Sequence, residues 1–151
     1  MMTMIAVLSL VVTGLLVGVE LSVAAFVGPM LDGLPGDAGV LGRAHGGRVL
    51  GRLMPWWYMP SLVLIVAVAV RAPGRAATWA AALGGVLLMV SVVMSLALLV
   101  PINNRGKTWT PRTAPSDWRE QVQRWDRLHQ VRVAVITVGF ACVAFGVAVP
   151  G

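Results

Sequence analysis

Cysteine is almost absent: Cys142 is the only one in 151 residues, so no disulfide framework holds this chain and its redox compartment is not legible. Charge is scarce as well. Only 12% of the residues are Asp, Glu, Lys or Arg, about half the share usual in a soluble domain. Histidine occurs twice and the carboxylates six times, which leaves few ways to assemble a metal site. No Walker sequence, nucleophile elbow or other phosphate-binding glycine motif is present, and no internal repeat.

What is present is long apolar sequence, 58% hydrophobic overall. Four runs, at 4–31, 53–70, 76–100 and 128–149, reach or approach the roughly 20 residues needed to cross a hydrocarbon core about 30 Å thick. Backbone groups in lipid must be satisfied within their own segment, so the runs are expected to be helices. The expected fold is all-α, an integral membrane four-helix bundle forming one domain over residues 1–151 and partnered by the lipid bilayer. The first run does not read as a signal peptide, because it lacks a basic leader, exceeds an apolar stretch of about 7–15 residues and contains Glu20. Cys142 falls in the fourth run, where a thiol behaves as a small hydrophobe.

The net charge of +6 does not point to nucleic acid, because the basic residues lie in connections between spans and not along one soluble face. The first connection holds Arg43, Arg48 and Arg52, and the third holds Arg105, Lys107, Arg112, Arg119, Arg124 and Arg127. Only Arg71 and Arg75 flank the second. By the positive-inside rule, connections one and three of a multi-pass protein in the cell membrane are expected in the cytoplasm, with both termini outside.

Local signals refine the picture. Gly14 and Gly18 have the GxxxG spacing of a close helix contact, which could serve a neighbouring helix or a second copy in a homo-oligomer. A weak interfacial helix is expected over 40–53, with Trp56, Trp57 and Tyr58 as an aromatic belt where the second span begins. Gly84, Ser91 and Ser95 form a small-residue face on the third span. Pro101 is expected to end that span, with the amides of Asn103 and Asn104 bonding the freed carbonyls. Asp117 and Glu120 have the spacing of a capping box. The fourth helix should therefore run from about 117 to 149, roughly 50 Å, and protrude from the membrane.

The candidate site lies at that protruding end. At about 100° per residue, Trp118, Trp125, His129 and Arg132 fall within roughly 60° of one another on a helix and make one stripe. Glu20 is a carboxylate inside a span, a costly position that implies a bundle interior, a cavity or a partner. It could form a structural ion pair with Arg132 or share proton chemistry with His129. As metal ligands, the only easily assembled set is Glu20, His45 and His129, formally the donor set of a non-haem iron facial triad. No HxxxH or ExxH spacing supports it.

The glutamate in the first span, the PINN turn at 101–104 and the ordered Trp118, Trp125, His129 and Arg132 together resemble the anthrone oxygenase-like family of small four-helix membrane proteins. The resemblance implies oxidation of an anthrone-type polycyclic aromatic, of polyketide origin, by O2. A base could generate a delocalised carbanion that reacts with O2 without an obligatory organic cofactor; a non-haem metal ion is the alternative. On this reading His129 is the base, Glu20 orients it or relays its proton, and Arg132 with Asn103 or Asn104 stabilises the enolate oxygen. Trp118, Trp125 and Trp57 offer flat surface to the ring system. The competing class is a non-enzymatic membrane subunit, in which the stripe docks a partner and Glu20 with Arg132 forms a lock.

Overall fold

The computed structural model of the chain describes residues 2–149. Four helices are long and apolar enough to cross a membrane: α1 (Thr3–Asp32), α2 (Ala38–Arg71), α3 (Arg75–Gly106) and α4 (Trp118–Ala148). Each packs on its neighbour in chain order and α4 closes against α1, with the α3 to α4 seam the tightest. The result is an up-and-down four-helix bundle. Its core is built from Leu16 and Val17, Tyr58 and Ile65, Leu88, and Ile136 and Val143, so all four helices contribute.

Glycine sets the tight seam. A Cβ on Gly84 would stand 2.7 Å from the carbonyl oxygen of Gly139, and one on Gly146 2.9 Å from that of Ala77. Backbone cannot yield as a side chain can, so these positions fix how closely α3 and α4 approach. Within the bundle, Gly14 meets the Phe140 ring, while Gly18 has nothing within 4 Å among the described residues.

Three local expectations change. Residues 40–53 are helical, but they do not form a separate interfacial helix: α2 begins at Ala38 and runs through Pro55 and Pro60 to Arg71. The third helix does not end at Pro101 but continues to Gly106. Asp117 occupies the N-cap position of α4 without a side-chain capping bond, and its carboxylate accepts from the Gln121 amide instead.

The passage through Pro101 has a physical reason. A helical proline lacks the N–H of its turn and its ring crowds the carbonyl four residues back. In α3 the helix widens to a π segment at Ser95–Leu99, with Val100 N–H bonding the Ser95 carbonyl. The same device occurs in α1, where Val23–Val27 is π-helical, Gly28 N–H bonds the Val23 carbonyl and Pro29 follows. Such π segments are often found at functional sites, and these two flank the same place in the bundle.

At the end carrying the first and third connections, the helices extend beyond the apolar core. A second cluster of Val40, Trp109 and Val122, backed by Ala114 and Trp118, packs this extension together. The basic residues assigned by sequence to the connections therefore sit largely on helix ends, since the first connection shrinks to residues 33–37.

Candidate functional site

A cavity of about 480 Å³ runs from the bundle centre to the extended end. Its walls are largely apolar, including Leu50, Met54 and Leu62 of α2 and Val92 and Leu99 of α3, and the charged groups Glu20, Arg43 and Arg132 line it as well. Gly46, Gly47 and Gly51 form part of the α2 wall. The last two leave room for Asn103, whose amide donates to the Gly47 carbonyl at 3.2 Å. A Cβ on Gly51 would stand 3.1 Å from that amide nitrogen. The Gly-rich stretch is therefore a contact surface on a helix and not a loop.

Each of the four helices sends a polar group to the centre of the bundle. Glu20 of α1 is 3% exposed, His129 and Arg132 of α4 are 1% and 7% exposed, and Tyr58 of α2 is buried beside them. The Tyr58 hydroxyl donates to Glu20 Oε1 at 2.9 Å. Since that hydroxyl has one hydrogen, the Ser91 hydroxyl of α3, 3.4 Å away, is the donor to Tyr58. Arg132 Nη2 bonds Glu20 Oε2 and also His129 Nδ1, the latter at 3.0 Å, while Nη1 donates to Ser95 Oγ at 2.8 Å. Ser95 is the first residue of the widened turn in α3, and Glu20 lies three residues before the one in α1.

The histidine tautomer follows from its partners. Nε2 lies 3.1 Å from the Glu20 backbone carbonyl, which can only accept, so Nε2 carries the hydrogen. The lone pair then belongs to Nδ1, which faces the guanidinium and lies 3.7 Å from Glu20 Oε2. The Trp125 ring stacks on the imidazole with centroids 4.7 Å apart and planes 16° apart. Two buried N–H groups of this cluster, Trp125 Nε1 and Arg132 Nε, have no acceptor among the described residues.

Glu20, Asn103, Trp125, His129 and Arg132 thus line one cavity. Trp118, Trp57, Asn104 and His45 stand apart from it. Trp118 packs in the extended-end cluster, with Arg119 over its ring at 4.5 Å. Trp57 donates its indole hydrogen to the Val12 carbonyl at 3.0 Å and so ties α2 to α1. Asn104 accepts from the Lys107 ammonium at the surface. His45 is exposed, and among the described residues no three His, Cys, Asp and Glu side chains are close enough to hold a metal ion. The set Glu20, His45 and His129 is therefore not assembled.

The family model described as anthrone oxygenase matches residues 54–142, more than half of the chain. The chain belongs to the anthrone oxygenase family. No curated protein and no solved structure resembles it closely enough to add to that assignment. Anthrone oxygenase membership points to an oxygenase-type role and to nothing finer. The matched stretch carries Tyr58, Ser91, Ser95, Asn103, Trp125, His129 and Arg132, whereas Glu20 and Arg43 lie before it.

Tyr58, Ser95 and Arg43 escaped sequence reasoning. Tyr58 sits in an aromatic triplet that signals a membrane interface, and the exposed Trp56 fits that reading. Arg43 bonds both oxygens of Asp126 at 2.8 and 2.9 Å, Asp32 Oδ1 at 2.8 Å and the Gly28 carbonyl at 3.1 Å. It clasps α1, α2 and α4 at the cavity wall. A signal was available: an arginine with unpaired carboxylates on neighbouring helices at the same end.

Proposed function

We propose that this anthrone oxygenase family member is a membrane-embedded oxygenase that converts an anthrone-type ring ketone to the corresponding quinone with O2. The observation that carries the reading is a carboxylate, Glu20, enclosed with a guanidinium at the head of a largely apolar cavity of about 480 Å³. Polycyclic aromatics fit such walls, and the methylene opposite the anthrone ketone is acidic enough for a positioned base.

Glu20 is the better base than His129. The imidazole is bonded at Nε2 to a carbonyl and at Nδ1 to Arg132, so taking a proton would break the second bond and set a cation against a cation. Glu20 removes the methylene proton instead, and the negative charge passes to the enolate while Arg132 remains beside it. The guanidinium thus faces one negative charge before and after the transfer, which is electrostatic preorganisation. His129 is a positioning residue that holds Arg132 and joins α4 to α1.

The carbanion adds O2, and the proton returns to give a hydroperoxide on the former methylene carbon. Loss of the remaining C–H proton and cleavage of the O–O bond then form the second ketone and release water. One oxygen atom of O2 enters the quinone and the other leaves as water, so no further reductant is needed.

The docking alternative asks the stripe to face outward. His129 and Arg132 are instead almost fully enclosed, which favours a site within the bundle. The test is oxygen uptake by purified protein in nanodiscs supplied with anthrone, followed together with anthraquinone formation. Uptake equal to that of empty nanodiscs, or uptake that needs an added partner protein, rejects the proposal.

A further inference from the structure

We propose that Trp125 serves as a hydrogen-bond donor that positions an oxygen of the substrate, with Arg132 Nε–H as a second donor two turns along α4. The inference rests on the reading that a ring ketone occupies this cavity, and it narrows the substrate to an aromatic ketone bearing a further oxygen. Trp125 lines the cavity, its Nε1 is buried, and no acceptor lies in reach among the described residues. A buried donor without a partner is costly and rare in folded proteins, so each one calls for a reason.

The ring cannot turn to find another acceptor without losing the His129 stack at 4.7 Å. That stack also occupies one indole face, so Trp125 does not work mainly as a flat platform. Arg132 has a similar incompleteness: Nη1 bonds Ser95 and Nη2 bonds Glu20 and His129, whereas Nε is the one guanidinium nitrogen with no partner among the described residues. Trp125 and Arg132 both line the cavity, and two donor nitrogens without protein partners match two oxygens on one apolar framework. A hydrocarbon of the same shape would leave both unpaired.

The experiment compares a stable hydroxyanthraquinone with anthracene, which has the ring shape but no oxygen, in wild type and Trp125→Phe protein in nanodiscs. Phenylalanine can keep the stack on His129 and lacks the N–H; naphthylalanine at the same position keeps the indole's bulk and serves as a second variant. Both variants are expected to weaken hydroxyanthraquinone binding about tenfold, the scale of one neutral hydrogen bond, and to leave anthracene binding unchanged. The carbonyl stretch of the bound quinone should also move to higher frequency in the variants, a change that altered packing alone would not produce. Equal losses for both ligands, or an unmoved carbonyl stretch, overturns the donor role. Failure of wild type to bind hydroxyanthraquinone overturns the underlying site reading as well, and is recognised before any variant is compared.

Discussion

Replacing Glu20 with glutamine separates its two roles, because the amide keeps the shape and discards the charge. Its oxygen can still accept from Arg132 and its nitrogen can donate to the Tyr58 oxygen, so the two contacts of the carboxylate survive in altered form. Removing one member of a buried ion pair costs about 3–5 kcal/mol because the other charge is left uncompensated. Arg132 retains Ser95 and His129 as partners, so Glu20→Gln should sit at or below the low end of that range, about 3 kcal/mol. Glu20→Leu should lose the whole of it. Turnover should fall about 10²–10⁴-fold in Glu20→Gln, as for loss of a general base. A double variant, Glu20→Leu with Arg132→Leu, removes both charges and should recover much of the stability with no activity. Denaturant unfolding in detergent and oxygen uptake with anthrone in nanodiscs read the two effects separately. Wild-type turnover in Glu20→Gln refutes the carboxylate as base, and wild-type stability in Glu20→Leu refutes the ion pair as a structural lock.

Other outcomes follow from the same geometry. Gly84→Ala should push α3 from α4, because its Cβ meets the Gly139 carbonyl at 2.7 Å, and lower stability by about 1–3 kcal/mol as overpacking does; Gly18→Ala, with nothing within 4 Å, should be neutral in the same unfolding assay. Arg43→Lys should fail to restore what Arg43→Ala loses in thermal stability, since one ammonium cannot span Asp32, Asp126 and the Gly28 carbonyl together; equal stability of lysine variant and wild type contradicts the clasp. For topology, cysteines placed at Gly106 and at Gly74 in a Cys142→Ser background should label from opposite sides of intact cells, with Gly106 protected from an impermeant reagent. Labelling of Gly106→Cys from outside reverses the proposed orientation.

Four helices were legible in the sequence because each apolar run is long enough to cross a bilayer and lipid allows the backbone few other forms. The stripe on α4 was legible in part, since helical spacing is a local property: Trp125, His129 and Arg132 do share one wall. Trp118 left it because the extended helix ends form their own small core with Val40 and Trp109, and no local rule says where one packing layer yields to the next. The Gly-rich start of α2 gave no apolar periodicity; Gly47 and Gly51 make sense only once Asn103 of α3 fills the space beside them. Pro101 signalled an end to its helix by its own chemistry, but packing around a widened turn carried the helix onward. The sequence by itself determined the number and kind of elements and marked Glu20 as a group that had to be explained. Only the tertiary structure decided that Tyr58, Ser95, His129 and Arg132 would explain it, because hydrogen bonds across 37 to 112 positions of chain depend on how four helices are rotated against one another.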